Sequence, residues 1–294
     1  MDLIVGATGL LGGDICHRLA AKGRPVRALV RGASDQAKMD ALEACGAELV
    51  VGDLRDCASL DAACRGIAAV ISTASSMPFS YLPGENDIQT VDVEGVSNLI
   101  EAAVSAGVQH FVYTSFTMEN DFPLRNAKRA IEQRLRNSGL TYTILRPSYF
   151  MEVWLSPAVG FDAANAKAQI YGSGQEPLSL VSLPDVAQFA VACLENPDAR
   201  NATLEIGGPQ ALSQLEIVRI FEELSGRTFE VAHVPVDALA EQQQAATDPM
   251  QQSFSGLMQW YARGDAVDMR KTLEAFPVQV TSVGDYARSV LAAA

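Results

Sequence analysis

Residues 4–14 read IVGATGLLGGD and carry four glycines, Gly6, Gly9, Gly12 and Gly13, directly after an apolar run. Glycine weakens helix and strand alike, so four of them at a strand-to-helix handover point to a ligand that must approach bare backbone. A dinucleotide pyrophosphate is such a ligand. Gly6 permits the tight turn, Gly9 leaves no side chain where the phosphates would lie, and Gly12 lets the next helix pack closely on its strand. The helix then turns its free N–H groups and its positive end toward the anion. At the end of a second apolar run, RALVRG, stands Arg31, and no acid follows until Asp35. An acid there would hold a ribose 2′-hydroxyl, whereas a guanidinium pairs bidentately with a 2′-phosphate. The expected dinucleotide is therefore NADP(H), unless Arg31 is only a solvated strand-end charge. Two later runs end in hydroxyls, Ser75 and Ser76 in one and Thr114 and Ser115 in the other. At the carboxyl ends of strands such groups face a ligand crevice, where each would bind a carbonyl oxygen or cap a helix.

These residues can act together only if a sheet aligns them. The runs DLIVGA, PVRALVR, AELVVGD, AAVISTAS, HFVYTSF and TYTILRPS alternate with helical stretches, the first of which places Leu11, Ile15 and Leu19 at i, i+4 and i+8. Near-continuous apolar strands joined by helical crossovers imply an α/β fold, a doubly wound parallel sheet of the Rossmann kind. The expected dinucleotide-binding domain is 1–148, completed by 180–208, where LPDVAQFAVACLEN and TLEIGG restore the pattern. Residues 149–179 and 209–294 form a smaller substrate-binding region. Within it, FMEVWLSPAVGFDAANAKAQIYGSGQEP has no clean period and reads as irregular structure or a lid. SQLEIVRIFEELSG opens with the capping pair Ser213 and Glu216, TFEVAHVP is a strand, and EQQQAATDPMQQ is a surface helix or mobile loop.

The composition narrows the function. The chain has 294 residues, 48% of them hydrophobic, and a net charge of −13, which disfavours nucleic acid and anionic membranes as partners. Its five cysteines follow no metal or disulfide pattern and its three histidines are scattered, so no metal site is expected. Asp2 stands where a secretory signal would be basic, no apolar stretch is long enough to span a bilayer, and the expected compartment is the cytoplasm. The oligomeric state is not legible.

The glycine spacing is G-x-x-G-x-x-G, which resembles the fingerprint of extended and atypical short-chain dehydrogenases/reductases. VGDLRD looks like that family's adenine-contacting Asp-Leu, here Asp53 and Leu54. YTSF, AKRAIEQRLRNSGLTYTILRPSYFME and LPDVAQFAV resemble the NmrA-like branch, which includes isoflavone-reductase-like enzymes, quinone reductases and redox-sensing regulators. The likeness covers residues 1 to about 208. It implies cofactor contacts from Gly6, Thr8, Gly9, Leu10, Leu11, Gly12, Arg31, Asp53, Leu54, Thr73, Ala74, Ser75, Thr114, Lys128, Pro147 and Phe150.

Most short-chain dehydrogenases use Tyr-x-x-x-Lys. Here Lys128 fits the lysine, but Leu124 stands at the tyrosine position and carries no proton. In isoflavone-reductase-like enzymes the corresponding lysine is the general acid/base. Transferred to Lys128, that implies a proton supplied or relayed by the lysine, helped by desolvation and by repulsion from Arg125 or Arg129. The bland alternative is a surface lysine on a basic helix. Ser115 and Tyr149 are further catalytic candidates, and Phe79, Tyr81, Phe116, Trp154 and Phe161 suggest a pocket for a flat, apolar substrate. The resemblance implies an NADPH-dependent reductase of a small carbonyl, quinone or conjugated aromatic compound. A redox-sensing NADP(H) binder without turnover is the alternative, and an epimerase a third.

Overall fold

The apolar runs become strands in the computed structural model, which describes residues 1–77 and 81–293. From the amino end run β1 (Asp2–Val5), α1 (Leu10–Ala21), β2 (Val26–Val30), α2 (Gln36–Ala44), β3 (Glu48–Val51), α3 (Cys57–Cys64) and β4 (Ala69–Ser72). A π-helical segment, Ile88–Gly95, leads into α4 (Val96–Ser105), followed by β5 (His110–Thr114), α5 (Pro123–Arg136) and β6 (Thr141–Pro147). Then come β7 (Tyr149–Phe150), α6 (Met151–Trp154), β8 (Phe161–Asp162), β9 (Lys167–Tyr171), β10 (Pro177–Val181), α7 (Leu183–Ala192) and β11 (Ala202–Ile206). The remainder holds β12 (Ala211–Ser213), α8 (Gln214–Ser225), β13 (Glu230–Val234), α9 (Val236–Ala245), α10 (Pro249–Arg263), α11 (Arg270–Ala275) and α12 (Val283–Ala293).

The chain divides into two units. The first comprises Met1–Ser115, Asn126–Arg146 and Val186–Leu204; the second comprises Phe116–Arg125, Pro147–Asp185 and Glu205–Ala294. The first is built on a seven-stranded sheet of order β11-β6-β5-β4-β1-β2-β3, the doubly wound arrangement expected from the apolar runs. β1 pairs in parallel with β2 on one side and β4 on the other, so the winding reverses beside β1. At such a reversal the loops leaving the carboxyl ends diverge and leave a crevice. The loops leaving β1, β2, β4 and β5 are those that carry Gly6, Arg31, Thr73 and Ser115. Strands β1 and β4 are buried throughout, as strands covered by helices on both faces must be. Leu3, Val70, Phe111 and Ile144 from the sheet meet Leu99, Ile100, Ile131 and Leu135 from α4 and α5 in one core. Burying each such side chain contributes about 1.5–3 kcal/mol.

The helix expected at VEGVSNLIEAAVSAG starts earlier than its apolar period suggests. The π-helical segment precedes it, opened by a reciprocal cap in which Asp87 accepts from the Thr90 N–H and Thr90 returns a bond to the Asp87 N–H. A wider π turn breaks the 3.6-residue period, so pattern reading loses it.

The second unit contains two three-stranded sheets, β12-β10-β7 and β13-β9-β8. The stretch read as irregular therefore holds a short helix and two strands. β9, KAQIY, alternates exposed and buried residues, but alanine and glutamine give that alternation little contrast. The glutamine-rich stretch ends α9 and begins α10. Ser213 and Glu216 do form a capping box, and α8 closes on left-handed Gly226. Among the described residues no helix is long and apolar enough to cross a membrane, and no cluster of histidine, cysteine and acidic side chains fits a metal.

Candidate active site

The glycine loop separates into parts with different roles. Gly6 has φ +85°, a left-handed conformation that favours glycine, and a Cβ there would lie 2.6 Å from Thr73 Oγ1. A Cβ on Gly12 would lie 2.2 Å from the Gly6 carbonyl oxygen, so Gly12 is bare because its helix packs on the turn. Gly9 differs. Its backbone is ordinary, φ −81°, and a Cβ would meet only the Gly6 oxygen, at 3.2 Å. Gly9 is also the N-cap of α1, and no side chain caps it. Leu10, the first residue of that helix, is 66% exposed, while Leu11 and Gly12 are buried and Thr8 is half-buried. The result is an uncapped helix N-terminus beside a glycine whose Cβ would meet a single internal atom, tightly, where those of Gly6 and Gly12 would clash.

Arg31 follows β2 directly and is exposed, its Nη1 donating to Asn86 Oδ1 at 3.0 Å. Asp35, the first acid after it, is occupied as the N-cap of α2. Asp53 is gripped by Arg55, whose Nε and Nη2 donate to its two oxygens at 2.9 and 2.8 Å. Those bonds, ahead of every other influence, hold the Asp53 carboxyl below the usual carboxylate range. Leu54 is buried: its Cβ would stand 2.7 Å from a Cβ on Gly95, and its carbonyl accepts from Asn98 Nδ2. Thr73 is half-buried, its Oγ1 donating to the Val5 carbonyl at 3.2 Å. Ala74 and Ser75 are half-buried. Thr114 is buried, and its Oγ1 has no hydrogen-bond partner.

Lys128 is no surface lysine. It is 4% exposed, with Nζ 3.2 Å from Asp92 Oδ1 and 5.3 Å from the centre of the Tyr113 ring. Asp92 is fully buried, and its other oxygen accepts from the Ser76 N–H at 3.0 Å and from Ser76 Oγ at 2.6 Å. Ser76 thus holds a carboxylate rather than a substrate carbonyl. The expected repulsion from neighbouring arginines meets a different arrangement. Arg125 pairs with Glu119, Arg129 with Glu132, and the charged partner of Lys128 is an anion.

Two further proton-donor candidates, Ser115 and Tyr149, sit in different surroundings. Ser115 is buried and donates its hydroxyl to Glu132 Oε1 at 2.7 Å, while accepting from Arg129 Nη1. Glu132 has no exposed surface and also receives Arg146 at 2.6 Å and Arg136 at 3.3 Å. Burial alone would raise its carboxyl, but Arg146, Ser115 and Arg129 outweigh it and the net shift is downward. Ser115 therefore serves an internal ion cluster. Tyr149 is fully buried in the second unit, edge-on to Trp154 and Tyr261 at 4.7 and 4.9 Å, and desolvation pushes its hydroxyl well above the usual range.

Part of the expected aromatic lining is core, with Trp154 and Phe161 buried and Phe116 half-buried. Trp154 stacks on Tyr261 at 4.3 Å, Phe161 packs edge-on to Phe221 at 4.8 Å, and Phe116 stacks on Phe122 at 5.9 Å. Trp154, Phe161, Tyr171 and Tyr261 line a hollow of about 10 Å³, room for one water molecule and too small for a substrate. Tyr81 and Phe150 are half-buried and Pro147 is buried; Phe79 lies outside the described residues. Sequence reasoning missed Asp92 and Glu132 and set Tyr113 aside. The signal for Asp92 was an acid between two valines in QTVDVEG.

A family model for NmrA-like proteins matches residues 3–287. The photosystem II assembly factor Ycf39 of Trieres chinensis is 32% identical over 80% of this chain and 72% of its own. The NAD(P)H azoreductase of Xenophilus azovorans is 32% identical over 77% of this chain and 74% of its own. In fold, the chain is similar to an NADPH-dependent quinone oxidoreductase of Escherichia coli solved with NADPH, with TM-score 0.76, 22% identity and 99% of each chain covered.

Proposed function

The chain belongs to the NmrA-like family, and from that premise we propose that it is an NADPH-dependent reductase of a small carbonyl, quinone or conjugated aromatic compound. The observation that carries this reading is the uncapped start of α1 at Gly9, where a side chain would meet one internal atom and otherwise open space. A pyrophosphate there would explain both the missing side chain and the open amides. Arg31 would hold a 2′-phosphate, and the partnerless Thr114 hydroxyl and Lys128 would serve the rest of the cofactor. Bound NADPH supplies a hydride. This chain's share is to bind, to orient and to deliver the matching proton, so that substrate, hydride and proton sum to a reduced product. With Ser115 committed to Glu132, Lys128 is the cationic donor of this site. The azoreductase relative supports conjugated, flat substrates.

A second reading is favoured by Leu124, a buried apolar residue where a proton-carrying tyrosine would stand, and by the assembly-factor relative: an NADP(H)-binding regulator without turnover. One experiment separates the two. Calorimetry with NADPH measures binding, and loss of reduced-nicotinamide absorbance is followed against quinones, azo dyes and aromatic ketones. Binding with turnover on any of these is the expected result. Binding without turnover on the whole panel selects the regulator, and absence of binding overturns both.

A further inference from the structure

Lys128 and Asp92 form an ion pair almost entirely out of water, 5% and 0% exposed at their side chains. Desolvating two charges opposes folding by several kcal/mol per ion, and a well-packed apolar pair is often the more stable arrangement. The fold supports the pair from both sides. Asp92 sits in the π-helical segment Ile88–Gly95, and Ser76, just past β4, fixes its second oxygen through both N–H and Oγ. Lys128 comes from α5, and the Tyr113 ring of β5 lies against its ammonium. Runs of π-helix are rare and concentrate at functional sites. An ammonium has three hydrogens. The contact with Asp92 is a charge pair in which Asp92 Oδ1 has no hydrogen-bond partner, and the ring faces the charge, so donor capacity is left over on a side chain that solvent hardly reaches.

We propose that Asp92, presented by the π-helical segment and locked by Ser76, is a positioning residue that holds Lys128 as a fixed cation aimed at the ligand. This rests on the reductase reading above, in which Lys128 serves cofactor and substrate. It makes Lys128 primarily an oriented hydrogen-bond donor with a dedicated counter-ion, and it explains the π-helical segment as the element that sets Asp92 at the lysine. The Asp92 carboxylate takes no proton from the substrate; a proton given up by Lys128 is replaced from solvent.

The test uses the full chain with Asp92→Asn, Asp92→Glu and Ser76→Ala, in two arms. In the first, acylation of Lys128 by an amine-specific reagent is followed by peptide mass spectrometry, with exposed Lys38 as internal reference. The pairing holds Nζ away from the reagent, so Asp92→Asn should speed Lys128 labelling by about tenfold or more, Ser76→Ala by less, and Asp92→Glu should restore slow labelling. In the second arm, Asp92→Asn should lower kcat by about tenfold or more while the NADPH dissociation constant moves less than about threefold, with partial recovery in Asp92→Glu. Labelling and kcat unchanged in Asp92→Asn would overturn the proposal. Should Asp92→Asn fail to fold, Ser76→Ala and Asp92→Glu decide alone: unchanged labelling in both overturns it. If the native protein binds no NADPH, the reductase reading falls, while the labelling arm still decides whether Asp92 holds the cation.

Discussion

Lys128 and Arg31 are both cations, but burial makes their removal differ. Arg31 is exposed, so replacing it changes recognition and little else. Arg31→Asp removes a charge-assisted pair and adds repulsion, weakening NADPH by about 2–4 kcal/mol while leaving NADH nearly unchanged. Calorimetry of both cofactors against both proteins checks this, and a native protein that prefers NADH contradicts it. Lys128 is buried on Asp92. Lys128→Ala strands that carboxylate, so about 3–5 kcal/mol of stability should go with it, alongside a 10²–10⁴-fold fall in kcat, the range of general acid catalysis. Lys128→Ala combined with Asp92→Asn should regain much of the stability in urea unfolding and none of the rate. Recovery of rate in the double variant would remove Lys128 from the chemistry.

At the scale of elements, the start of α1 contains an internal control. Gly9→Val should leave the fold largely intact and abolish cofactor binding, because its Cβ meets one internal atom, the Gly6 oxygen at 3.2 Å, and its methyl groups would stand where a pyrophosphate would lie. Gly12→Ala should do the reverse. Its Cβ would stand 2.2 Å from the Gly6 oxygen, so the helix must shift, at about 1–3 kcal/mol or more. Circular dichroism and cofactor titration of the two variants distinguish a binding glycine from a packing glycine. The end of α5 carries a second test. Glu132 has its carboxyl held low in the folded state by Arg146, Ser115 and Arg129, against the opposing effect of burial. A depressed carboxyl contributes stability above its unfolded value, near 4.3, which is lost as pH falls through the folded value. Glu132→Gln should therefore unfold more easily at neutral pH, by about 3–5 kcal/mol, and lose stability less steeply on acidification. Urea midpoints measured from neutral to acid pH check both signs.

For the whole molecule, cofactor binding should appear as stability. A ligand that binds only the folded chain at 100 times its dissociation constant adds about 2.7 kcal/mol. NADPH should thus raise the unfolding temperature by several degrees, NADH by less at equal concentration, and Gly9→Val should erase the difference. The net charge of −13 places an unfavourable field around an anionic cofactor, which in the proposed reading Arg31 and the positive start of α1 would oppose locally.

What the sequence by itself determined was set by short-range rules: apolar runs alternating with helical periods, glycines where strand yields to helix, a cation where an acid would choose NAD. Those rules placed the doubly wound sheet and the loops at its carboxyl edge and singled out Gly9, while Lys128 was singled out by the likeness to short-chain dehydrogenases and the NmrA-like branch. Only the tertiary structure decided which polar groups are free. Ser115 lies 17 residues from Glu132 and Ser76 16 residues from Asp92, and neither pairing leaves a periodic trace. Burial inverted several meanings: Tyr149 went into an aromatic core and Lys128 met an anion instead of repelling arginines. Period and propensity act along the chain, whereas the partner of a buried charge is fixed by which elements the fold brings within hydrogen-bonding distance, and that is a property of the packed sheet and its helices.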